Sequence, residues 1–341
     1  MAGNFDYNIT KEGFRERYTP LKMLAKTGMS KVGVFKDQKF GKDIVIKFLF
    51  PKFEEGISPA EYHEQFTEFK KRFDREIEIA RQLDHPNVVR LFEYGQYNNI
   101  TSYLSMEYVK GRDMRDAIQY VKEKKLFSLE EFLLMFDQIC EPLEWAHKKG
   151  LVHRDLKPMN ILLGDKGQIA ICDWGIAKII DGDDAGSPGS TSRINLQNNF
   201  VTAAGIVIGT PSYITPEQIR AEPVTNKTDI YQIAAVLYEV ITGDPPFSME
   251  REEFRRRQET EDHSFDLERI YVPELKKIIK HAMEPEQEDR YESLGEFRQD
   301  IRKFLHKLYN SNSKTRFLRR AEEKPVLYLS DIVKKWAKIE K

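Results

Sequence analysis

Cysteine is scarce: Cys140 and Cys172 are the two in 341 residues. Two thiols cannot make the disulfide framework of a small secreted domain, and they suit a reduced, cytoplasmic chain. No apolar run reaches the roughly 18 residues that a spanning helix needs, so no transmembrane segment is expected here. Residues 1–17 mix polar and apolar side chains with no apolar block, which excludes a secretory signal. An excess of charge of either sign is also missing. Fifty-four basic residues stand against 55 acidic ones, for a net charge of -1. No global field therefore draws the chain to nucleic acid or to a membrane surface. Internal repeats are absent as well.

What is present is enough apolar material for a large core, with 40% hydrophobic and 11% aromatic residues. At about 150 residues per domain the length suggests two domains. Residues 18–109 carry short apolar runs broken by turn residues, at Tyr18–Lys26, Val32–Lys36, Asp43–Leu49, Val88–Tyr94 and Ser102–Glu107. These suit antiparallel strands. Among them Phe66, Phe69, Phe73, Ile77 and Ala80 recur at helical spacing and predict one helix. After Gly111 the periodicity is helical. Leu129, Phe132, Phe136, Ile139 and Leu143 line one face of a long helix that stops at Lys148, Lys149 and Gly150. The almost unbroken apolar stretch Ile230–Ile241 predicts a buried helix. Residues 181–199 lack periodicity and predict a loop.

One stretch stands out for chemistry: His153-Arg154-Asp155-Leu156-Lys157-Pro158-Met159-Asn160. Eighteen residues after Asp155 comes Asp173-Trp174-Gly175, and later Thr215-Pro216-Glu217. In order and spacing these resemble the catalytic loop, D-F-G and A-P-E segments of the protein-kinase family. Upstream, Ile44-Val45-Ile46-Lys47 looks like the V-A-I-K strand, and Glu76 matches the glutamate of the following helix. The resemblance covers about residues 18–307. Gly209-Thr210-Pro211-Ser212-Tyr213 before Thr215 is similar to bacterial eukaryotic-like (Hanks-type) Ser/Thr kinases.

That resemblance implies an α+β, bilobal fold. Residues 1–17 would be an extension, 18–109 a small antiparallel lobe with one helix, 110–307 a mainly helical lobe, and 308–341 a polar linker with a terminal amphipathic helix. ATP would lie between the lobes. Phosphoryl transfer depends mostly on positioning and charge neutralisation. Asp155 would accept the hydroxyl proton and Lys157 would reach the γ-phosphate. Lys47, held by Glu76, would take the α- and β-phosphates. Asn160 and Asp173 would supply oxygens to Mg²⁺ or Mn²⁺. Met106 would be the gatekeeper and Glu107 to Val109 the hinge, with adenine between Val32 and Val45 above and Leu162 below. Glu217 would pair with Arg290.

The pattern departs from the family in several places. Ala25, Thr27 and Ser30 stand where three glycines are expected, and Gly28 alone remains in the phosphate loop. A stiffer or weaker phosphate cradle follows. Val45 replaces alanine, Trp174 replaces phenylalanine, and Gln232 and Ala234 replace small residues. A pseudokinase scaffold and a small-molecule phosphotransferase are the competing functions. The expected partners are ATP and proteins bearing Ser or Thr, and no nucleic acid. Membrane contact would come only through the tail, where Ile332, Val333, Trp336 and Ile339 fall on one helical face, or through sequence beyond it. Thr202 is the expected autophosphorylation site, its phosphate held by Arg154.

Overall fold

The structure, a computed structural model, describes residues 8–9, 11–26, 30–49, 58, 77, 81–97, 101–124, 129–174, 178–179, 211–248 and 250–311. The chain forms two compact units, Met1–Val109 and Lys110–Lys341.

The first unit contains β1 (Asn8–Ile9), α1 (Lys11–Arg17), β2 (Tyr18–Lys26), β3 (Ser30–Asp37), β4 (Lys42–Leu49), β5 (Leu91–Tyr97) and β6 (Thr101–Glu107). Among the described residues these strands form one sheet in the order β1-β5-β6-β4-β3-β2. All neighbours are antiparallel except β1, which runs parallel to β5. Alternation along the strands sends successive side chains to opposite faces. One face is an aromatic core. Ile44, Ile46, Tyr18 and Tyr103 are buried there with Phe14, and Phe35, Phe48 and Tyr97 pack against them.

Phe14 comes from α1, in the segment whose sequence suggested only an extension. Its ring lies 4.8 to 6.3 Å from those of Tyr18, Phe35, Phe48, Tyr97 and Tyr103, in tilted and edge-on arrangements that aromatic pairs favour. Glu12 in the first turn and Arg15 and Arg17 in the last suit the helix dipole. Arg17 then pairs with Asp37 at 3.1 Å and Glu93 at 2.7 Å, fixing the exit of α1 into β2. One buried ring in seven charged and small residues carries no periodic signal. Residues 8–9 and 11–17 are thus part of this sheet and its core, not an appendage to them.

The second unit begins with β7 (Gly111–Asp113), α2 (Met114–Lys124) and α3 (Leu129–His147). It continues with β8 (Leu151–Val152), β9 (Ile161–Gly164), β10 (Ile169–Ile171) and β11 (Lys178–Ile179). Then come α4 (Pro216–Ile219), α5 (Asn226–Thr242), α6 (Arg251–Thr260), α7 (Pro273–Ala282) and α8 (Leu294–Ser311). β7 pairs with the β9–β10 hairpin at Gly111, where a Cβ would meet the Leu163 carbonyl oxygen at 2.0 Å. Residue 111 must therefore lack a side chain.

α5 is the buried helix that the apolar stretch Ile230–Ile241 predicts, but it starts earlier, at Asn226. Thr225 caps it through a reciprocal pairing with Thr228, and Gly243 ends it at φ 79°. Helix α8 extends to Ser311, so the sequence boundary at residue 307 falls inside a helix. Arg298 and Arg302 of α8 both reach Asp137 of α3, at 3.0 and 2.7 Å. No helix among the described residues is long and apolar enough to cross a membrane.

Candidate active site

The predicted site residues fall in both units. In the first, the strand register gathers several of them. Ala25 lies opposite Val32, Val32 opposite Lys47, and Lys47 opposite Leu104. Two residues along, Val34 lies opposite Val45, and Val45 opposite Met106. Directly opposed residues share a face. Ala25, Ser30, Val32, Val45, Lys47 and Met106 therefore sit on the sheet face away from the aromatic core. Farther along that face, Leu104 and Leu91 pack on the buried pair Ile77 and Tyr94. Glu107 lies on the other face, and its N–H donates to the Arg90 carbonyl at 2.9 Å. Val109 is buried. Glu76, Thr27 and Gly28 lie outside the described residues, as do Thr202, Gly209, Thr210 and the tail face Ile332–Ile339.

In the second unit the segment after β8 is pinned from beneath by α5. Asp229, fully buried, accepts the His153 N–H at 2.9 Å and the Arg154 N–H at 2.8 Å. It also meets His147 Nε2 at 2.7 Å. Burial alone would raise the Asp229 carboxyl; His147 and these N–H donors outweigh it and hold the group below its ordinary range. Arg154 takes φ 71°, a left-handed conformation unusual for a residue with a side chain. The His153 ring accepts the Asp155 N–H at Nδ1, 3.3 Å away, and its Nε2 lies 3.0 Å from the Cys172 carbonyl. Nε2 must then carry the proton, which makes the ring a neutral brace between the loops at Asp155 and Asp173. The Trp174 ring packs against it at 4.7 Å with the ring planes tilted by 56°, so the larger aromatic is accommodated within the core.

Asp155 is thereby presented with its carboxylate partly exposed. Lys157 Nζ donates to Asp155 Oδ2 at 2.6 Å. The buried Asn160 donates from Nδ2 to the Asp155 carbonyl at 2.6 Å and to Oδ2 at 3.4 Å. With its nitrogen so engaged, the Asn160 amide turns its oxygen the other way. The Cys172 N–H donates to the Asn160 carbonyl at 2.9 Å, which brings Asp173, exposed and at φ 62°, beside Asn160. Leu162 lies opposite Ala170 in the adjoining hairpin. The second unit thus brings Asp155, Lys157, Asn160 and Asp173 together.

Beneath them Glu217 and Arg290 form the expected pair, bidentate at 2.9 and 2.7 Å with both side chains fully buried. Arg290 also donates to the carbonyls of Glu284, Lys227 and Pro285, and Thr228 donates to Glu217. Burial pushes the Glu217 carboxyl up, but Arg290 more than reverses this and its titration lies below the usual range. Two further residues contact the loop that holds Asp155: Gln218 and Gln232. Gln232 was visible in the sequence as a departure from pattern, and Gln218 as the residue that closes the run Thr215-Pro216-Glu217-Gln218.

A strand-rich unit bearing Lys47 and a mainly helical unit bearing the Asp155–Lys157–Asn160 loop make an α+β chain. Residues 23–323 match the protein kinase domain model, and the chain belongs to that family. It is 30% identical over 320 residues to a probable serine/threonine-protein kinase of Corynebacterium efficiens, covering 91% of this chain and 44% of that protein. It is 31% identical over 307 residues to serine/threonine-protein kinase PknD of Chlamydia caviae, covering 85% of this chain and 31% of the relative. With serine/threonine-protein kinase PknB of Mycolicibacterium smegmatis it shares 29% identity over 298 residues, 86% of this chain and 43% of the other. The chain spans less than half the length of these relatives.

Proposed function

We propose that this chain is a protein serine/threonine kinase of the non-specific class, transferring the γ-phosphate of ATP to Ser or Thr hydroxyls of proteins, itself included. The observation that carries this is the Asp155 carboxylate, held by Lys157 and Asn160 on a loop whose backbone is fixed by buried groups. Both contacts fall on Oδ2, so Oδ1 is the oxygen that would take the acceptor hydroxyl's proton. Lys157 Nζ, at 2.6 Å from Oδ2, would follow the γ-phosphate as charge develops.

On the first unit, the face with Lys47, Val45, Val32 and Met106 would serve the nucleotide: apolar groups for adenine, Lys47 for the α- and β-phosphates. Glu76 would hold Lys47, and Ala25, Thr27, Gly28 and Ser30 would form the phosphate loop. The backbone from Glu107 to Val109 would contact the adenine edge, and Leu162 its other face. A divalent cation fits the second unit by donor chemistry, since the Asn160 amide oxygen and the Asp173 carboxylate are the hard oxygens that Mg²⁺ or Mn²⁺ requires. When bound, the ion would neutralise phosphate charge. A reducing cytoplasmic setting suits the free thiols of Cys140 and Cys172.

The test is transfer of labelled phosphate from ATP to a generic acceptor protein and to the chain itself. Asp155→Asn should lower transfer by about 10²- to 10⁴-fold while leaving the melting temperature nearly unchanged. Equal transfer by both proteins would remove the base. No transfer by the parent would favour a scaffold.

A further inference from the structure

The peptide groups on either side of Asp155 are both held by one buried side chain. Gln232, 2% exposed on α5, accepts the Leu156 N–H at Oε1 (2.9 Å) and donates from Nε2 to the Arg154 carbonyl (2.9 Å). Its second N–H goes to Gln218 Oε1 at 3.2 Å. Gln218, 5% exposed on α4, donates to the same Arg154 carbonyl at 2.8 Å and accepts the Thr215 N–H at 3.1 Å. Both lone pairs of the Arg154 carbonyl, both N–H groups of Gln232 and both lone pairs of Gln218 Oε1 are used. The network has one consistent orientation. Turning the Gln232 amide over would set its oxygen against the Arg154 carbonyl and its NH₂ against the Leu156 N–H.

This closed set of bonds joins two elements with different tasks. Arg154 sits in a sparsely populated conformation and survives there because its N–H is held by Asp229 and its carbonyl by the two glutamines. Asp155, the next residue, has no freedom to swing at either peptide. At the other end, Gln218 ties the Thr215–Ile219 turn to the same carbonyl, and in sequence that turn follows the run Gly209–Tyr213 on which the resemblance to Ser/Thr kinases rests.

We propose that Gln232 and Gln218 are a positioning clamp. Together they set the placement of the Asp155 backbone and couple it to the Thr215–Ile219 turn, so that the base is aligned with the bound acceptor. This rests on the kinase reading above, although the clamp itself is observable without turnover. Neither glutamine touches the reacting atoms; Gln232 acts through Arg154 and Leu156, and Gln218 through Arg154.

The experiment uses the full chain with Gln232→Leu, Gln218→Ala and the double variant. It measures steady-state transfer to a protein acceptor, melting temperature, and amide hydrogen exchange across residues 153–157. Gln232→Leu should lower kcat about 10- to 100-fold per folded molecule, the scale of a misplaced catalytic group. KM for ATP should stay within about twofold, since ground-state nucleotide binding is untouched. Gln218→Ala should lower kcat less, and the double variant should be no worse than about twofold below Gln232→Leu, because both bonds converge on one carbonyl. Exchange across 153–157 should quicken in each variant.

Loss of melting temperature with unchanged kcat per folded molecule would reduce the pair to ordinary core and overturn the clamp. Losses that multiply in the double variant would overturn the coupling. Should Gln232→Leu fail to fold, Gln218→Ala decides alone by kcat and exchange: unchanged values overturn the proposal. If the parent transfers no phosphate, the kinase reading fails, and hydrogen exchange still decides the clamp.

Discussion

The two units secure their functional residues by different physics. In the second, the Asp155 loop is held from beneath by the buried polar groups of Asp229, Gln232 and Gln218, and the Glu217–Arg290 pair fixes the short helix that carries Gln218. In the first, Lys47 is held by a strand whose opposite face is packed with aromatic rings, and β2, at the sheet edge, is exposed at every residue after Tyr18. Hydrogen-bond networks in low dielectric fix direction as well as distance, while apolar packing tolerates small shifts. The unit that orients a proton acceptor is built for geometry. The unit expected to grip a flexible triphosphate presents an exposed edge.

The largest break in this contrast should come from Arg290→Ala. It strands a fully buried carboxylate, Glu217, and should cost about 3–5 kcal/mol of unfolding free energy by denaturant titration. Acid should act along the same line. Because the folded-state titration of Glu217 lies below its unfolded value, its contribution is present above the unfolded value and lost as pH falls through the folded one. Arg290→Ala should flatten this acid dependence.

In the first unit the corresponding break is Phe14→Ala. Removing a buried ring from a cluster of five others should cost about 3 kcal/mol. The loss should appear as faster hydrogen exchange in β4 and β6, with peptides 153–157 unaffected. Equal loosening of both regions would show that the units do not fold with separate cores.

Much of this was legible from sequence. Strand Tyr18–Lys26 has the bounds that its apolar run implies, and the Asp155 loop and the Glu217–Arg290 pair follow from motif order. Other features escaped for physical reasons. Phe14 is one ring in a short charged helix, and its burial depends on strands 21 to 89 residues away in sequence. Gln218 shows locally only as the partner of the Thr215 cap, and Gln232 is a polar residue buried through bonds to a loop 76 to 78 residues earlier. No local pattern reports that.

His263 is another hidden case. It is buried beside Arg257, whose Nε lies 3.4 Å from His263 Nδ1, and Arg257 in turn donates to the Ile214 carbonyl at 2.9 Å. Burial first, and then the charge of Arg257, push the imidazole down to about 4 from its ordinary 6.5. The folded state keeps it neutral, so between those values the unfolded chain binds the additional proton. Its contribution is complete above pH 6.5 and is lost progressively as pH falls toward 4. His263→Asn should therefore narrow the difference in melting temperature between pH 6.5 and 4.5. An unaltered difference would assign that acid sensitivity to carboxylates instead.

The smallest effect should come from the exposed edge of the first unit. Ala25 pairs with Val32 just after an irregularity in the register between Met23 and Ala25, and Val32 pairs with Lys47. Ala25 and Thr27 occupy positions where the family resemblance expects glycine, so this edge has less backbone freedom than a phosphate cradle ordinarily uses. Glycine at both positions would let the backbone approach phosphate more closely, at an entropic cost to the free loop. If stiffness is what limits nucleotide binding, Ala25→Gly with Thr27→Gly should lower KM for ATP about two- to fivefold, with kcat unchanged because Asp155 is held elsewhere. The melting temperature should fall slightly, since glycine adds freedom to the unfolded chain. A higher KM would mean that the entropic cost exceeds the gain in approach. The edge would then be pre-organised rather than too stiff, and the contrast between the two units would narrow to one of chemistry alone.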